Sequence, residues 1–431
     1  MEKTTMAWVS AAAVLGLVAM AASAGTADAS GGRFVREIGA LGGNNEFRVN
    51  SPDTTTGPFA DRPEAKKDGV LRINVDQDLR EVESAELCLE LWGGHPGVAN
   101  KRFMLNGQSE YSLPEVGSAD DNCTYSYPLI ALKLGELRQG ENDFAFTCDK
   151  GTTFWGHFLI RKAILRLYLK PGCKTLAEAG LAEAALAVAA SEPVGPERAV
   201  ALDLQAAPNL RSRVASAEYW GLYNGFDENG NGEAYDWHGF TKDGRAVGNV
   251  ATVTAKEGLD ASWPLAMVPT DRPVLVRARV RFADAAGLVY ETPVIQVLAA
   301  EDPSPVRTYL PRSLPRPFWS RASGFKACVI PLDVSLGRIE AAQLHVAIWD
   351  GGAGDVSEPF TLNGRPLPVA GKGDHEVLYS VVNLEPDLLR KGDNVIVVDS
   401  DTEHHGIEVL LPGPALVVRL APTKKDSGAG H

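Results

Sequence analysis

One pattern of residues occurs twice in the chain. Ala85-Glu-Leu-Cys-Leu-Glu-Leu-Trp92 returns as Ala342-Gln-Leu-His-Val-Ala-Ile-Trp349, and Phe103-Met-Leu-Asn-Gly107 as Phe360-Thr-Leu-Asn-Gly364, both at an offset of 257 (342 − 85 and 360 − 103). Leu137-Arg-Gln-Gly-Glu-Asn142 answers Leu389-Arg-Lys-Gly-Asp-Asn394 at an offset of 252 (389 − 137), so the second copy has lost five residues between the blocks. Each copy closes on an apolar run, Ala163-Ile-Leu-Arg-Leu167 and Ala415-Leu-Val-Val-Arg-Leu420. Ordered blocks at a nearly fixed offset imply two related domains, and 431 residues leave room for a third between them.

The repeated blocks are β in character. Leu87, Leu89 and Leu91 alternate with other residues, as do Leu344, Val346 and Ile348, which is the period of a strand with one face on a core. Asn106-Gly107 and Asn363-Gly364 predict a tight hairpin in each copy, because both residue types tolerate positive φ. Gly140 and Gly392 mark turns before strands over 142–147 and 394–398. The 43 Gly and 27 Pro fit many short strands joined by turns. The expected fold class is all-β: two jelly-roll β-sandwich domains related by the repeat and separated by an Ig-like β-sandwich.

A strand ending in Trp, then Phe-x-Leu-Asn-Gly, then Leu-Arg-x-Gly-x-Asn leading into an apolar strand resembles the galactose-binding-like jelly roll. That is the fold of the sugar-binding domain of family 2 glycoside hydrolases and of many carbohydrate-binding modules. The resemblance covers residues 32–172 and 305–422, and its most recognisable piece is Leu389-Arg-Lys-Gly-Asp-Asn-Val-Ile396. It implies a fold and, more loosely, a carbohydrate ligand, since members of this superfamily bind sugars, bind other ligands or brace a catalytic domain. Between the copies, Trp263 followed by the hairpin segments 274–282 and 292–298 resembles the latter half of an immunoglobulin-like or fibronectin type III domain.

The resulting division is a signal peptide over 1–24, a jelly roll over 32–172, an Ala-rich linker over 174–200 and an Ig-like sandwich over 201–300. A Pro-rich linker over 301–317, the second jelly roll over 318–422 and a disordered tail over 423–431 follow. The uncharged run Val9–Ala24 ends in Ala22-Ser23-Ala24, and Ala27-Asp28-Ala29 offers a second small-x-small site, so the chain is expected to be exported: secreted, periplasmic or on the cell surface. No later stretch is long and apolar enough to span a bilayer, so no transmembrane segment is expected in the mature chain. With 42 basic against 55 acidic side chains the net charge is −13, and no basic cluster is present to engage nucleic acid. Five cysteines, Cys88, Cys123, Cys148, Cys173 and Cys328, match no zinc spacing and leave at least one unpaired within the chain. A Cys123–Cys148 bridge is one of several pairings the spacing permits.

Three stretches carry candidate chemistry. In Asp227-Glu-Asn-Gly-Asn-Gly-Glu-Ala-Tyr-Asp236, oxygen ligands at alternate positions, Asp227, Asn229 and Asn231, precede Gly232 as in the first half of a calcium loop. The twelfth position is His238 rather than Glu, so Glu233 or Asp236 would complete a structural calcium shell. Seven aromatics fall within 22 residues around this loop, and Tyr235 and Trp237 are candidates for stacking on sugar faces, the alternative being core packing. In the second copy, Asp399, Asp401, Glu403, His404 and His405 crowd a loop after a predicted strand, where a sandwich domain presents ligand contacts. The corresponding stretch of the first copy contributes Trp155 and His157. Trp92 and Trp349 stand at matching strand ends, as core plugs or as sugar platforms.

The sequence contains no nucleophile elbow, zinc-protease motif, phosphate loop or dinucleotide fingerprint. The expected function is that of a secreted, non-catalytic carbohydrate- or cell-envelope-binding multidomain protein with a structural calcium loop and a cell-surface glycan as partner. The alternative is a polysaccharide-active hydrolase or lyase with its site on the 399–408 rim.

Overall fold

A computed structural model describes residues 31–41, 47–52, 61, 69–94, 98–114, 125–149, 156–301 and 304–421. The expected signal peptide, Cys123, Trp155 and the C-terminal tail lie outside the described residues. The fold is all-β and its described sheets are antiparallel; the two α-helices among the described residues, Lys174–Glu178 and Pro208–Arg211, are single turns.

Each repeat forms a sandwich. In the first, Arg33–Gly39, His157–Leu169, Val82–Trp92 and Tyr125–Ser126 lie side by side, and Val70–Val75, Gly140–Asp149, Ala99–Leu105 and Glu110–Ser112 make the facing sheet. In the second, Val306–Tyr309, Ala415–Leu420, Ile339–Asp350, Ile407–Val409 and Trp319–Ser320 form one sheet. Lys326–Leu332, Gly392–Val398, Phe360–Leu362 and Arg365–Pro366 form the other. Leu344, Val346 and Ile348 point into the core with Phe360 and Ile396, as the period-two pattern requires.

The repeat signature is a pair of asparagines doing the same work twice. Asn106 and Asn363 adopt φ of 50° and 53° in Asn-Gly turns. Asn106 Nδ2 donates to Asn142 Oδ1 (2.9 Å) while its side-chain Oδ1 accepts the Asp143 amide (2.9 Å); Asn363 does the same with Asn394 (3.0 Å) and Val395 (3.0 Å). Asn142 and Asn394, both fully buried, each close the preceding turn by donating to the carbonyls of Arg138 and Gly140, or of Arg390 and Gly392. The Leu-Arg-x-Gly-x-Asn block is therefore a turn welded to the hairpin beside it.

The central unit faces Ala187–Ala190, Ala199–Gln205 and Ala261–Pro264 against a sheet built on Val214–Asn224 and Val274–Phe282. This corrects the expectation of a linker over 174–200: Ala187–Ala190 pairs with Ala199–Gln205, and Leu176, Leu181, Leu186 and Val188 are buried in the core. The alanines suit a helix by composition, but the leucines between them need covering. The 301–317 segment is likewise not free, because Val306–Tyr309 pairs with Ala415–Leu420 at the sheet edge, where flanking prolines are tolerated.

The first sandwich and the central unit share a continuous sheet and one core. Arg33–Gly39 pairs with His157–Leu169 on one side and with Leu288–Glu291 on the other. Across this junction runs a buried ionic layer. Glu37 accepts from Arg166 (3.0 Å), Arg281 (2.9 Å) and Arg279, and Glu291 meets Arg33 (2.8 Å) and Arg279 (3.3 Å). Burial opposes charge on Glu291, but Arg277, Arg279 and Arg33 overcome it and hold its carboxyl at about 2; Glu37 is pulled down in the same way.

Two outcomes follow from these contacts. Asn394→Ala leaves turn carbonyls and the Arg390 amide without partners in a buried site, and should lower unfolding free energy by about 3 kcal/mol in urea melts; a loss within error would remove the asparagine from the account. The contribution of Glu291 is fully present above its unfolded value near 4.5 and is lost as pH falls toward about 2, so stability should drop across that window. In Glu291→Gln the drop should flatten, and an unaltered acid limb would contradict the ionic layer.

Candidate functional site

The Asp227–Asp236 loop closes on itself. The Asp227 carboxylate accepts the amides of Asn231 (3.1 Å) and Gly232 (2.8 Å), and Asn229 and Asn231 both direct Nδ2 to Asp236 Oδ2 (3.1 and 2.6 Å). Both Asn side chains turn N–H donors toward Asp236 while their oxygens accept backbone amides, so the loop is closed by its own hydrogen bonds. Glu233 is exposed, with its amide bonded to Asn231 Oδ1 (2.8 Å). His238 turns away to a buried partner: its Nδ1 meets Glu228 Oε2 (2.9 Å) and its Nε2 meets the Tyr223 carbonyl (2.9 Å). Both ring nitrogens face acceptors, an environment that favours the doubly protonated ring. Burial opposes that charge, and Glu228 restores it, raising the His238 pKa.

The aromatic stretch is used mainly for packing between units. Phe226 stacks on Tyr379 of the C-terminal sandwich (5.8 Å), Phe240 on Tyr127 of the first (5.0 Å), and Tyr223 on His238 (3.7 Å). One face of Tyr235 is covered by the Arg272 guanidinium (4.5 Å) and one face of Trp237 by that of Arg277 (4.2 Å). His157 is buried beside Trp92, with ring centroids 5.4 Å apart.

Of the residues singled out from sequence, those on the C-terminal rim share one loop but turn to separate partners. Asp350, fully buried at a strand end, accepts the amides of Gly352 (3.0 Å), Gly371 (3.2 Å) and Lys372 (3.1 Å) and so anchors one rim loop. Facing it is the 399–406 loop, held by Asp401 Oδ1 on the Asp355 amide (2.9 Å), by Ser400 Oγ on the Gly352 carbonyl (2.9 Å) and by Asp399 N on the Pro359 carbonyl (2.8 Å). Glu403, His404 and His405 are exposed, and the His405 ring stands against His375 and Trp349. Gly351 and Gly406 join the two loops through an amide-to-carbonyl bond of 2.7 Å. A Cβ on Gly406 would lie 1.9 Å from the Ser320 carbonyl oxygen, so glycine is required there.

Beside this rim lies a feature the sequence analysis missed. Trp319 and Trp349 are both register partners of Glu408, on adjoining strands. Opposed residues share a face, and Ile348, Ile407, Val409 and Phe318 fill the core, so Trp319, Glu408 and Trp349 form a lateral row on the outer face. Two strand spacings separate the indoles, about 9–10 Å. All three side chains are half-buried, and the Arg321 guanidinium covers one face of Trp319 (4.7 Å). Trp349 also borders a small apolar cluster with Trp92, Tyr125 and Tyr127, so the row starts where the two sandwiches meet. The first copy has no such row: in register, Arg48, Leu159 and Trp92 stand side by side. No local motif could have revealed it, because Trp319 precedes Glu408 by 89 positions (408 − 319).

Among the described residues no group of three or more His, Cys, Asp or Glu side chains is arranged to hold a metal, and no helix is long and apolar enough to cross a membrane.

No protein-family model and no curated protein matches the chain. Solved structures with some likeness include a beta-porphyranase of glycoside hydrolase family 86 from the human gut bacterium Bacteroides plebeius, at 12% identity and a TM-score of 0.24, matching 55% of this chain and 36% of that one. A GH86 protein in complex with neoagarooctaose gives 11% identity and a TM-score of 0.23, over 56% and 34%. An exo-beta-1,3-galactanase from Phanerochaete chrysosporium gives 10% and 0.18, over 68% and 64%. The match spans about a third of the family 86 chains. At these scores the likenesses transfer neither a fold nor an activity.

Proposed function

We propose that the chain is an exported, non-catalytic carbohydrate-binding protein that takes a glycan on the outer face and rim of its C-terminal sandwich. The row Trp319–Glu408–Trp349 carries this reading. Indole faces accept the C–H surfaces of a sugar ring, and a carboxylate between them accepts hydroxyl protons, so the row offers both halves of sugar recognition. The rim loop extends the surface with Asp399, Asp401, Glu403, His404 and His405. In this reading the central unit is an Ig-like spacer that sets the two jelly rolls against each other. Its Asp227–Asp236 loop, with Asp227, Asn229, Asn231, Asp236 and, from the exposed side, Glu233, is proposed to hold a structural calcium ion.

Two measurements test this. On a glycan array and by calorimetry with the best hit, Trp319→Ala and Glu408→Ala should each weaken binding by about tenfold, about 1.4 kcal/mol, while Tyr235→Phe should not. Undiminished binding in both variants would move the site elsewhere, and release of shortened product would make the chain a hydrolase or lyase. For the metal, a chelator should lower the melting temperature of the intact protein, by about 2 °C or more for each kcal/mol of binding energy withdrawn. Asp227→Ala should melt alike with and without chelator, and an unchanged wild-type curve would remove the ion.

A further inference from the structure

Two histidines on the C-terminal rim point their ring nitrogens at each other. His375 Nε2 lies 2.6 Å from His405 Nδ1, with the rings nearly perpendicular at 77° and both side chains exposed. The Trp349 ring stands at 70° to each, at centroid distances of 5.5 and 5.6 Å. The backbone is constrained. His375 sits at φ 55°, uncommon for a residue with a Cβ, and its amide donates to the Asp350 carbonyl (2.8 Å). His405 is followed by Gly406, which is locked to Gly351 and has no room for a side chain. Two loops 30 positions apart therefore deliver two imidazoles to one point.

That arrangement leaves at most one proton between the facing nitrogens. At least one of the two facing nitrogens therefore presents a lone pair to the other. A neutral imidazole offers a lone pair, and imidazole nitrogen suits zinc and copper in preference to calcium or magnesium. We propose that His375 and His405 bind a zinc- or copper-class divalent ion between Nε2 and Nδ1. With metal–nitrogen bonds of about 2.0–2.1 Å in a tetrahedral arrangement, the nitrogens must part to about 3.3 Å, a shift of less than about 1 Å that small rotations of two exposed rings provide. Among the described residues no third His, Cys, Asp or Glu converges on the pair, so the proposed site has two protein ligands there and water would fill the other positions. The site stands beside Trp349 but does not depend on the glycan reading.

The test uses the full chain, stripped with chelator and desalted, then titrated with zinc chloride by calorimetry, with copper(II) as a second probe and calcium as control. One zinc per chain is expected at this site. His375→Ala and His405→Ala should each weaken binding by at least the 10-fold or so that losing even an outer-sphere partner costs a metal site. His404→Ala should leave it intact. Unaltered zinc binding in both single variants, or no zinc binding by the wild type, overturns the proposal. Should either variant melt differently from wild type without metal, electron paramagnetic resonance of the copper(II)-loaded wild type decides. Two coupled nitrogens support the site, and one or none refutes it.

Discussion

The strand Arg33–Gly39 is bonded on both sides, and much of the architecture depends on that. A sandwich normally ends in edge strands whose free amides and carbonyls must be protected. Here the edge of the first jelly roll and the edge of the central unit share one strand, so neither is open at this junction. The shared strand carries Glu37 into a place where little water reaches, and its charge is sustained by Arg166 from one unit and Arg279 and Arg281 from the other. A buried carboxylate with partners on both sides resists separation, since pulling the units apart would strand charges that cannot be resolvated cheaply.

A small hairpin ties the rest together. Phe240–Lys242 and Arg245–Val247 are joined by Asp243-Gly244, with φ of 50° and 77°, the geometry that an Asp-Gly turn adopts readily. The turn's two amides are caught by Glu90 of the first sandwich at 2.8 and 2.7 Å, while Lys242 reaches Glu376 of the C-terminal sandwich. Phe240 stacks on Tyr127, and Gly248 leaves space for Tyr379. By holding the outer faces of both jelly rolls near one another, the hairpin leaves Trp349 at the seam and Trp319 beyond it. The proposed glycan surface is thus the part of the C-terminal sheet where the cover from the other units ends.

Much of this was legible from residues alone where the cause is local. The Asn-Gly turns, the alternating strands and the pairing of Asn142 and Asn394 with their hairpins all arise within one sandwich, and the repeat exposed them by writing them twice. The hydrogen bonds that close the Asp227 loop are local in the same way, since their partners lie within ten positions. The aromatic stretch was legible as a concentration but not as a destination. Phe226, Tyr223 and Phe240 pack on Tyr379, His238 and Tyr127, and the first and last of those partners belong to other units. The 174–200 segment misled because its alanines speak for propensity, while its buried leucines respond to a neighbouring sheet.

By itself, the sequence determined an all-β chain with two related sandwiches, the turns that shape them, and a rim loop rich in Asp, Glu and His. These follow from side-chain period and from φ preference, which act over a few residues. Only the tertiary structure decided which strands share an edge, which aromatics are consumed at interfaces, and that Trp319, Glu408 and Trp349 fall in one row beside the facing rings of His375 and His405. Strand register and domain docking set those neighbours, and both are fixed by burial and by charge pairing between residues far apart in the chain.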